Sequence, residues 1–493
     1  MMSRMQVLLM FVTGLLGSGL SATEFTVLAY NVENLFDADD IALYDDYKQA
    51  DPVEPGSYTR RKLLTKLQNV VTTVQALNES SGPEVILFQE LEADFTPESS
   101  VADLGRFLLE HEGTTVEAML TNGWRDDYAG LPSHAWLLKA FEDAGLTGYE
   151  VVVAPAKDPE VMVAHTCAVF SKFPIREVNL HPLQQARDIL EVQLDVEGAA
   201  LWVYSNHWKS GASNPSREPI RVQNAGVLRS LIDARLAENP AADIIIGGDL
   251  NSHYNHSLLY PKIETGINDV LGSQGDEVAV AQAQRADLYN LWFELPLEDR
   301  YSEVWKVRRG TLMHMLITPG LYDDRGISYV DGSFDKLCVL GLNADAFGRP
   351  IKWYFYGENG GGFTDHFPVY ARFSTKPFKY RDAPSRGNDA LREELALGYE
   401  TGVLAPLKNG AFLNDLTEAQ LGAEMGKVFA VEAEVAQRKP LRLSVDGVEW
   451  SAYIHNRELY GQVMRTKDGK PLDLVVTLGV YRGNRQFIVE GIR

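Results

Sequence analysis

The feature that most constrains this chain is a short apolar run that ends in two glycines and a polar cluster, at residues 243–252 (DIIIGGDLNS). A β-branched run of this length followed by a tight turn predicts a fully buried strand. Asp249 and Asn251 come at its carboxyl end, and residues two apart on an extended chain point the same way. Open α/β sheets bind their ligands beyond the carboxyl ends of their strands. We therefore expect both side chains to face one spot at the rim of a sheet, although an Asx turn that only closes the strand fits the same residues.

Other polar residues lie beside apolar runs in the same way. They are Asn31, Glu33 and Asn34 after residues 24–30, Gln89 and Glu90 after 85–88, Asn206 and His207 after 201–205, His314 within 310–318, and Asp365 and His366 before 367–369. A carboxylate such as Glu90 at the end of a buried strand costs free energy unless it is paired or holds a cation. Taken singly, each residue is more often a turn cap or a satisfied buried group than a catalyst. Their delivery from five separate strands favours one shared site.

Helix and strand patterns alternate over the first 374 residues. Apolar residues at helical spacing predict helices at residues 58–77 and 219–237, and residues 95–149 are interpreted as a mostly helical excursion with a helix at 135–144. Strands are predicted at residues 149–154, 164–170, 189–196 and 201–205, with a hairpin turn at Glu197 and Gly198. This alternation is typical of an α/β fold.

The first 22 residues have the parts of a secretory signal peptide. Arg4 precedes an uncharged apolar run at residues 7–16, and small residues lead to Ala22, where we expect cleavage. The run is too short to span a bilayer, and no later segment is apolar enough to do so. We therefore expect an exported protein, periplasmic or extracellular, without stable membrane insertion. In that setting Cys167 and Cys338 either form one disulfide or remain two buried thiols.

The negative charge of the chain is confined to its front part. Residues 427–493 contain 11 Lys and Arg against 8 Asp and Glu, a net +3, so the net charge of −22 leaves −25 for the rest. A body this acidic repels polyanions unless a metal and local cations intervene. An acidic surface that only keeps the protein soluble is the alternative explanation for most of these charges.

The composition changes after Ser374. Residues 375–426 are interpreted as a linker with some helix at 391–400. Short alternating strands are then predicted at residues 428–436, 441–445, 450–454, 473–481 and 486–492. Five short strands suit a small β-barrel, and the last hairpin is similar to that of an OB-fold. Tyr453, Tyr460 and Tyr481 either stack nucleic-acid bases on this barrel or form part of its core.

Five of the stretches, taken in order, resemble the signature blocks of the endonuclease/exonuclease/phosphatase family, of which pancreatic deoxyribonuclease is a member. They are AYNVENLF at 29–36, QE at 89–90, NH at 206–207, GDLN at 248–251 and DHFP at 365–368. The resemblance covers residues 24–374 and implies a four-layer α-β-β-α sandwich with a divalent-metal site at one rim. The chain then divides into a signal peptide (1–22), this catalytic domain (24–374), a linker (375–426) and an OB-like barrel (427–493).

The resemblance also implies a role for each matching residue. Glu90 would be the main ligand of Mg²⁺, Mn²⁺ or Ca²⁺, because hard cations take carboxylate oxygen, with Asn31 in support and Asp365 as a further contributor. Asp249 and Asn251 would position the attacking water and the phosphoryl oxygen. His207 and His366 would flank the phosphate, one donating a proton or hydrogen bond and the other polarising the water. Arg187 and Lys209 are candidates for phosphate contact, with ordinary surface cations as the alternative.

One position departs from the family pattern. The block TLMHMLIT at residues 311–318 has Met313 where the family places an aspartate that orients and charges the catalytic histidine. Without that aspartate, His366 would lose a partner that raises its pKa and fixes its tautomer. Either another carboxylate substitutes, with Asp335 as one candidate, or the pH optimum differs from the family norm. An inactive relative is the third possibility.

These observations together predict an exported, metal-dependent phosphodiesterase that acts as a nuclease on DNA or RNA. A phosphatase or a sphingomyelinase-like phosphoesterase of the same fold is the alternative within the enzyme class, and the acidic body suits such smaller or less charged substrates. A third hypothesis makes the front domain a degenerate scaffold and the barrel the working part.

Overall fold

The computed structural model describes residues 23–39, 58–93, 101–155, 164–273, 288–305, 308–323, 325–345, 348–353, 359–376, 409–417, 420–421, 424, 428–454, 457–467, 469–481 and 484–492. The predicted signal peptide and the predicted linker helix at 391–400 lie outside these ranges. Within them, no helix has the length and apolar character needed to cross a bilayer.

The described elements are numbered in chain order. The strands are β1 (Glu24–Leu35), β2 (Val85–Glu92), β3 (Glu150–Val153), β4 (His165–Ser171), β5 (Ile175–His181), β6 (Ile189–Val196), β7 (Ala199–His207), β8 (Asp243–Asp249), β9 (Tyr289–Asn290), β10 (Glu303–Trp305), β11 (Arg308–Gly310), β12 (Met313–Ile317), β13 (Ser328–Tyr329), β14 (Asp335–Lys336), β15 (Val369–Ser374), β16 (Val428–Arg438), β17 (Leu441–Val445), β18 (Val448–Tyr453), β19 (Leu472–Tyr481) and β20 (Asn484–Ile492). The α-helices are α1 (Arg60–Gln75), α2 (Leu104–Glu110), α3 (Val116–Leu120), α4 (Ser133–Asp143), α5 (Glu218–Glu238), α6 (His256–Leu259) and α7 (Arg457–Arg465).

Two large sheets form the front part of the protein. The first has the strand order β13-β15-β1-β2-β4-β3, with β14 also paired to β15. The second has the order β5-β6-β7-β8-β12-β9, and β10 and β11 form a separate hairpin. β1 and β2 are parallel, as are β7 and β8. These two parallel pairs end in the polar stretches that the sequence singled out.

Alternation along the strands builds four layers. On β1, Leu28 and Tyr30 face a core shared with α1 and α4, whereas Val27 and Ala29 face the second sheet. On β8, Ile245 faces the first sheet while Ile244 and Ile246 pack with α5. Each fully buried side chain of this size contributes roughly 1.5–3 kcal/mol. The two sheets thus pack face to face with helices on both outer sides, and the predicted α-β-β-α sandwich is confirmed.

Two adjacent glycines let the sheets approach each other just below the rim. A Cβ on Gly247 would lie 2.6 Å from Leu87 Cδ1 of the first sheet, and a Cβ on Gly248 would lie 2.1 Å from the carbonyl oxygen of Asn206. Gly248 also has a φ of 129°, which favours glycine. Larger residues here would push the sheets and the neighbouring strand apart.

The predicted helices agree with the structure to within one or two residues at most ends. The helix predicted at 135–144, within the expected excursion, is α4, whose Trp136 and Phe141 pack in the outer core of the first sheet. This helix is thus part of the outer layer of the sandwich. Cys167 is buried, Cys338 is half-buried, and both are free thiols.

A closed five-stranded barrel follows, with the order β16-β17-β18-β20-β19. Its core contains residues of every strand and of α7, which the sequence analysis missed. β18 and β20 are parallel and the other pairs are antiparallel. Tyr453 and Tyr460 are 46% and 36% exposed, so neither is barrel core. The side chain of Tyr481 lies outside the described residues.

Candidate active site

The ends of the two sheets bring four predicted site residues together at one rim. Asn31 lies where the pairing of β1 with β2 shifts register, and its side-chain N–H₂ donates to Glu90 Oε1 (3.0 Å) and to Asp249 Oδ2 (3.1 Å). His207, at the end of β7, lies opposite Asp249 in the parallel register. Residues from β1, β2, β7 and β8 therefore converge although they are far apart in the sequence.

Glu90 reaches the rim through a bulge in β2. The pairing of β2 with β4 shifts register between Gln89 and Leu91, and Glu90 has a φ of 63°. A bulge re-aims the side chain of the extra residue, and a positive φ outside glycine is strained. Strict alternation would place Glu90 on the helix side of the sheet with Phe88. The bulge turns it towards Asp249 instead.

Asp249 both closes the strand with an Asx turn and faces the site, which are the two alternatives that the sequence left open. Its Oδ1 accepts a hydrogen bond from the backbone N–H of Asn251 (2.8 Å), which is an Asx turn, while its Oδ2 faces Asn31. Asn251 has a φ of 47°, and its side chain donates to the carbonyl of Trp208 (3.2 Å). The turn therefore fixes the carboxylate in the site.

Three of these groups have the spacing of a metal site. The ligand atoms of Glu90, His207 and Asp249 lie within 4.8 Å of one another. Two carboxylates and an imidazole fit a divalent cation, and a cation would offset the cost of burying Asp249, whose pKa burial raises to about 6. Asn31 turns its N–H₂ towards these carboxylates, because its Oδ1 accepts from the backbone N–H of Glu33 (2.9 Å). Asn31 therefore acts on the site as a donor.

Asp365 lies outside this group of three and beside His366. Its Oδ1 is 3.3 Å from His366 Nε2, and its Oδ2 is 3.9 Å from Lys352 Nζ. Glu33 is close enough that burial and the charge of Asp365 raise its pKa to about 8, and its Oε2 accepts from the backbone N–H of Trp353 (2.8 Å). Acidic side chains thus surround the site on the side of the first sheet.

The two predicted histidines have opposite charge preferences. His207 is buried; burial, then the positive charges of Arg187 and other neighbours, lower its pKa well below its usual value. Burial also opposes the charged form of His366, but nearby carboxylates outweigh it and raise the pKa to about 9. The largest contributions come from Asp365, then Asp249, then Glu303. In the metal-free protein these shifts favour a neutral His207 and a charged His366, the two forms that a general base and a general acid require.

Glu303 is a site residue that the sequence analysis missed. It pairs with His366 in an isolated antiparallel bridge, and burial raises its pKa to about 7. A Cβ on Gly310, its partner in the β10–β11 hairpin, would lie 2.4 Å from Glu303 Oε1, so glycine leaves room for the carboxylate. The three-residue strand β10 has no apolar run, and only its non-local pairing reveals the position.

Met313 stands at the floor of the site. It pairs with Asp249 in the antiparallel register of β12 and β8 and is fully buried in the core between the sheets. His314 faces the other way, where its Nε2 lies 2.8 Å from the carbonyl oxygen of Ser252. Asp335, the candidate replacement for the missing aspartate, pairs with Tyr370 and lies 3.7 Å from Lys336 Nζ, and the largest carboxylate effects on the pKa of His366 come from other residues. Its part in the site stays a prediction.

Arg187 and Lys209, the predicted phosphate contacts, lie on the His207 side. Arg187 Nη2 is 3.0 Å from His165 Nδ1, and its backbone N–H donates to the carbonyl of His207 (3.4 Å). Lys209 is half-buried, and burial followed by the charges of Arg217 and Arg187 lowers its pKa. Both cations are near His207, and their contact with a phosphate stays a prediction.

The second half of the sandwich, which contains several of the predicted site residues, matches a known protein family in sequence. Residues 164–375 match the Endonuclease/Exonuclease/phosphatase family. The matched range includes His207, Asp249, Asn251 and His366 and begins after Glu90. No curated protein matches the chain.

Several solved structures are similar at low identity. Truncated TDP2 from Caenorhabditis elegans is 13% identical, with 71% of this chain and 97% of that chain covered and a TM-score of 0.37. TDP2 from D. rerio, complexed with a single strand DNA product, is 14% identical, with 71% and 99% covered and a TM-score of 0.35. An endonuclease/exonuclease/phosphatase family protein from Bacteroides thetaiotaomicron is 13% identical, with 72% and 99% covered and a TM-score of 0.37.

Proposed function

We propose that this chain is an exported, metal-dependent phosphodiesterase that hydrolyses nucleic acid. The observation that carries the proposal is the convergence of Glu90, His207, Asp249 and His366 from both sheets at one rim, with the three potential ligand groups within 4.8 Å. The match of residues 164–375 to a family named for endonucleases, exonucleases and phosphatases supports the reaction class. The signal-peptide pattern of residues 1–22 supports export to the periplasm or the medium.

The residues of the site divide the chemistry between them. Glu90, Asp249 and His207 would hold the cation, which when bound stabilises the charge that develops on the phosphoryl oxygens. Asn31 holds the two carboxylates at a fixed separation through its two hydrogen bonds. These contacts preorganise the charge of the site before substrate binds.

His366 is the proposed proton donor, and its neighbours orient the reactants. His366, cationic at neutral pH, donates a hydrogen bond or proton to the phosphoryl group or the leaving oxygen. Asp249 and Asn251 orient the attacking water. His207 is neutral, so it either ligates the cation or accepts a hydrogen bond from a water in the site. Arg187, beside His207, offers charge to the non-bridging phosphoryl oxygens.

The test is a turnover panel with the full chain. Single-stranded and plasmid DNA, RNA, a phosphate monoester and a choline phospholipid are each incubated with Mg²⁺, with Mn²⁺ and with a chelator. We expect cleavage of nucleic acid that the chelator stops and that Glu90→Gln lacks. Turnover of only the monoester or only the phospholipid would favour the phosphatase or the sphingomyelinase-like alternative, and turnover of none would favour the binding-only hypothesis.

A further inference from the structure

A large exposed aromatic side chain lies next to the site. Trp305, the last residue of β10, is 53% exposed. Alternation along β10 places Trp305 on the same face as Glu303, the partner of His366 in the isolated bridge. Val304, between them, faces the opposite side and packs with Tyr301 in a small apolar core. The indole is therefore two strand residues, about 7 Å along the backbone, from the residue paired with His366.

A chain of contacts joins the indole to the catalytic histidine. Lys352 Nζ lies 5.2 Å from the centroid of the Trp305 ring and 3.9 Å from Asp365 Oδ2. Asp365 Oδ1 in turn lies 3.3 Å from His366 Nε2. A group bound against the indole and a phosphate held at His366 would therefore be close enough to belong to the same substrate molecule.

A second cation lies on the same face. Arg308 is exposed and is the cross-strand partner of Trp305 in the β10–β11 hairpin. Directly opposite residues of an antiparallel pair share a face of the sheet. In a chain with a net charge of −22, Lys352 and Arg308 place two positive charges beside one exposed tryptophan, and Lys352 also lies 3.9 Å from Asp365.

The exposed indole and the two cations favour one of the candidate substrate classes over the others. A nucleobase stacks on an aromatic ring whatever its identity, and nearby cations attract the phosphates on either side of it. A choline headgroup also binds aromatic rings, but Lys352 Nζ already lies over the indole, 5.2 Å from its centroid, and would repel the quaternary ammonium there. An aliphatic phosphate monoester, such as a sugar phosphate, has no aromatic ring to stack.

We propose that Trp305, flanked by Lys352 and Arg308, stacks on the nucleobase next to the scissile phosphate, so that the substrate is a nucleotide diester with an unpaired base. This inference rests on the proposed function. It assigns to Trp305 the binding of the substrate and not a part in the bond-breaking step. Because every base has a stacking face, the surface recognises nucleic acid without reading its sequence.

The experiment compares two single-stranded oligonucleotides of the same length. One has normal bases, and the other has abasic residues on both sides of the cleaved bond. kcat and KM are measured in Mg²⁺ for the wild type, Trp305→Ala, Trp305→Phe and, as an exposed apolar control on α2, Leu109→Ala, which is 74% exposed in the wild type. The abasic oligonucleotide also reports whether each variant is folded and active.

For the normal oligonucleotide we expect Trp305→Ala to lower kcat/KM on the order of tenfold, mostly through KM, since stacking on one aromatic residue is worth that much. Trp305→Phe should keep most of the activity, and Leu109→Ala all of it. On the abasic oligonucleotide, Trp305→Ala and the wild type should be equal.

An equal loss on both oligonucleotides, or no loss on either, would overturn the stacking role and leave the phosphodiesterase activity standing. A wild type that cleaves the two oligonucleotides equally well would overturn it too. Failure of the wild type to cleave either one is a different result, because it contradicts the proposed function itself.

Discussion

Glu303 lies directly opposite His366 in an isolated antiparallel bridge between β10 and the segment that leads into β15. Side chains paired in this way share a face of the sheet. His366 Nδ1 is buried and has no hydrogen-bond partner among the described residues. Glu303 is thus placed to stabilise the charge of the imidazolium, which is part of the role that the sequence left vacant at Met313.

We expect Glu303→Gln to lower kcat roughly 10- to 100-fold with little change in KM, the loss usual for a residue that supports a catalytic group. Glu303→Asp keeps the charge and should recover part of the activity. Steady-state kinetics on an oligonucleotide measures both values. The exposed Glu298 of the same region gives the control Glu298→Gln, which should be silent. An unchanged kcat in Glu303→Gln would show that Asp365 and Asp249 suffice.

The pH dependence should show the same relationship. Burial opposes the charged form of His366, but the carboxylates raise its pKa, to about 9 in the metal-free protein, so a general acid at this position is lost on the alkaline side of the profile. We expect kcat/KM to fall on the alkaline side, and Glu303→Gln to move that fall to lower pH because one anion is gone. Profiles at one fixed Mg²⁺ concentration compare the two proteins. A fall that moves upwards, or not at all, would contradict the assignment.

The sequence predicted those parts of the site that follow from local pattern. The run at 243–252 located β8 and Asp249, and the strand ends located His207 and Asn31, because apolar runs and their polar ends are local features. Glu303 and Trp305 could not be found in this way, since they lie on a three-residue strand whose place depends on a bridge to His366, 63 residues later. The orientation of Glu90 depends on a bulge that no periodicity signals.

Metal binding is testable without turnover. A ligand at 100 times its Kd stabilises the folded state by about 2.7 kcal/mol, so Mg²⁺ should raise the Tm of the wild type, and Glu90→Gln should abolish this rise. The exposed Glu112 provides the control Glu112→Gln. Differential scanning calorimetry with Mg²⁺ and with a chelator measures the shift. An equal rise in Glu90→Gln would place the cation elsewhere.

Asp249 makes a separate prediction for the metal-free protein. Burial raises the pKa of Asp249 to about 6, so the stability linked to its protonated form is present at low pH and is lost as the pH rises through 6. In chelator at pH 8, Asp249→Asn should therefore be at least as stable as the wild type while having no activity. A clearly lower Tm would show that the carboxylate stabilises the fold, since the amide would present an N–H₂ group to the Asn31 N–H₂ that the carboxylate accepts from.

Acid stability should depend on a buried cluster next to the site. Glu218 accepts from Arg221 Nε (2.7 Å) and from the backbone N–H of Gly266 (2.8 Å), and it lies 3.0 Å from His256 Nε2. Burial opposes its ionisation, but these partners lower its pKa to about 2. The stability they give is present above the unfolded pKa of about 4.3 and is lost as the pH falls towards 2, which amounts to about 3 kcal/mol.

We expect Glu218→Gln to cost about 3–5 kcal/mol at pH 7, because it leaves the buried Arg221 without its counter-charge. The variant should also lose less stability than the wild type between pH 4.5 and pH 2. Urea unfolding at several pH values measures both effects, with the exposed Glu117→Gln as control. Parallel pH curves for the wild type and Glu218→Gln would show that other carboxylates govern acid unfolding.

The last prediction moves the carboxylate from β10 to β12. Met313 is buried and pairs with Asp249, so Met313→Asp alone adds one more anion to a site that already has several. We expect it to destabilise the protein by roughly 1–3 kcal/mol, because the new carboxylate is desolvated. In the double variant with Glu303→Gln, the number of carboxylates near His366 returns to that of the wild type. Part of the kcat lost in Glu303→Gln should then return.

Met313→Leu is the matched control, since it conserves volume and costs less than about 1.5 kcal/mol. Combined with Glu303→Gln it should restore nothing. The kcat values of the wild type, the two single variants and the double variant form a cycle whose coupling term measures the exchange. A positive coupling would mean that residues 303 and 313 supply the same charge to His366 from two different strands. Strict additivity would mean that Met313 is ordinary core and that Glu303 acts on His366 in a way that position 313 cannot reproduce.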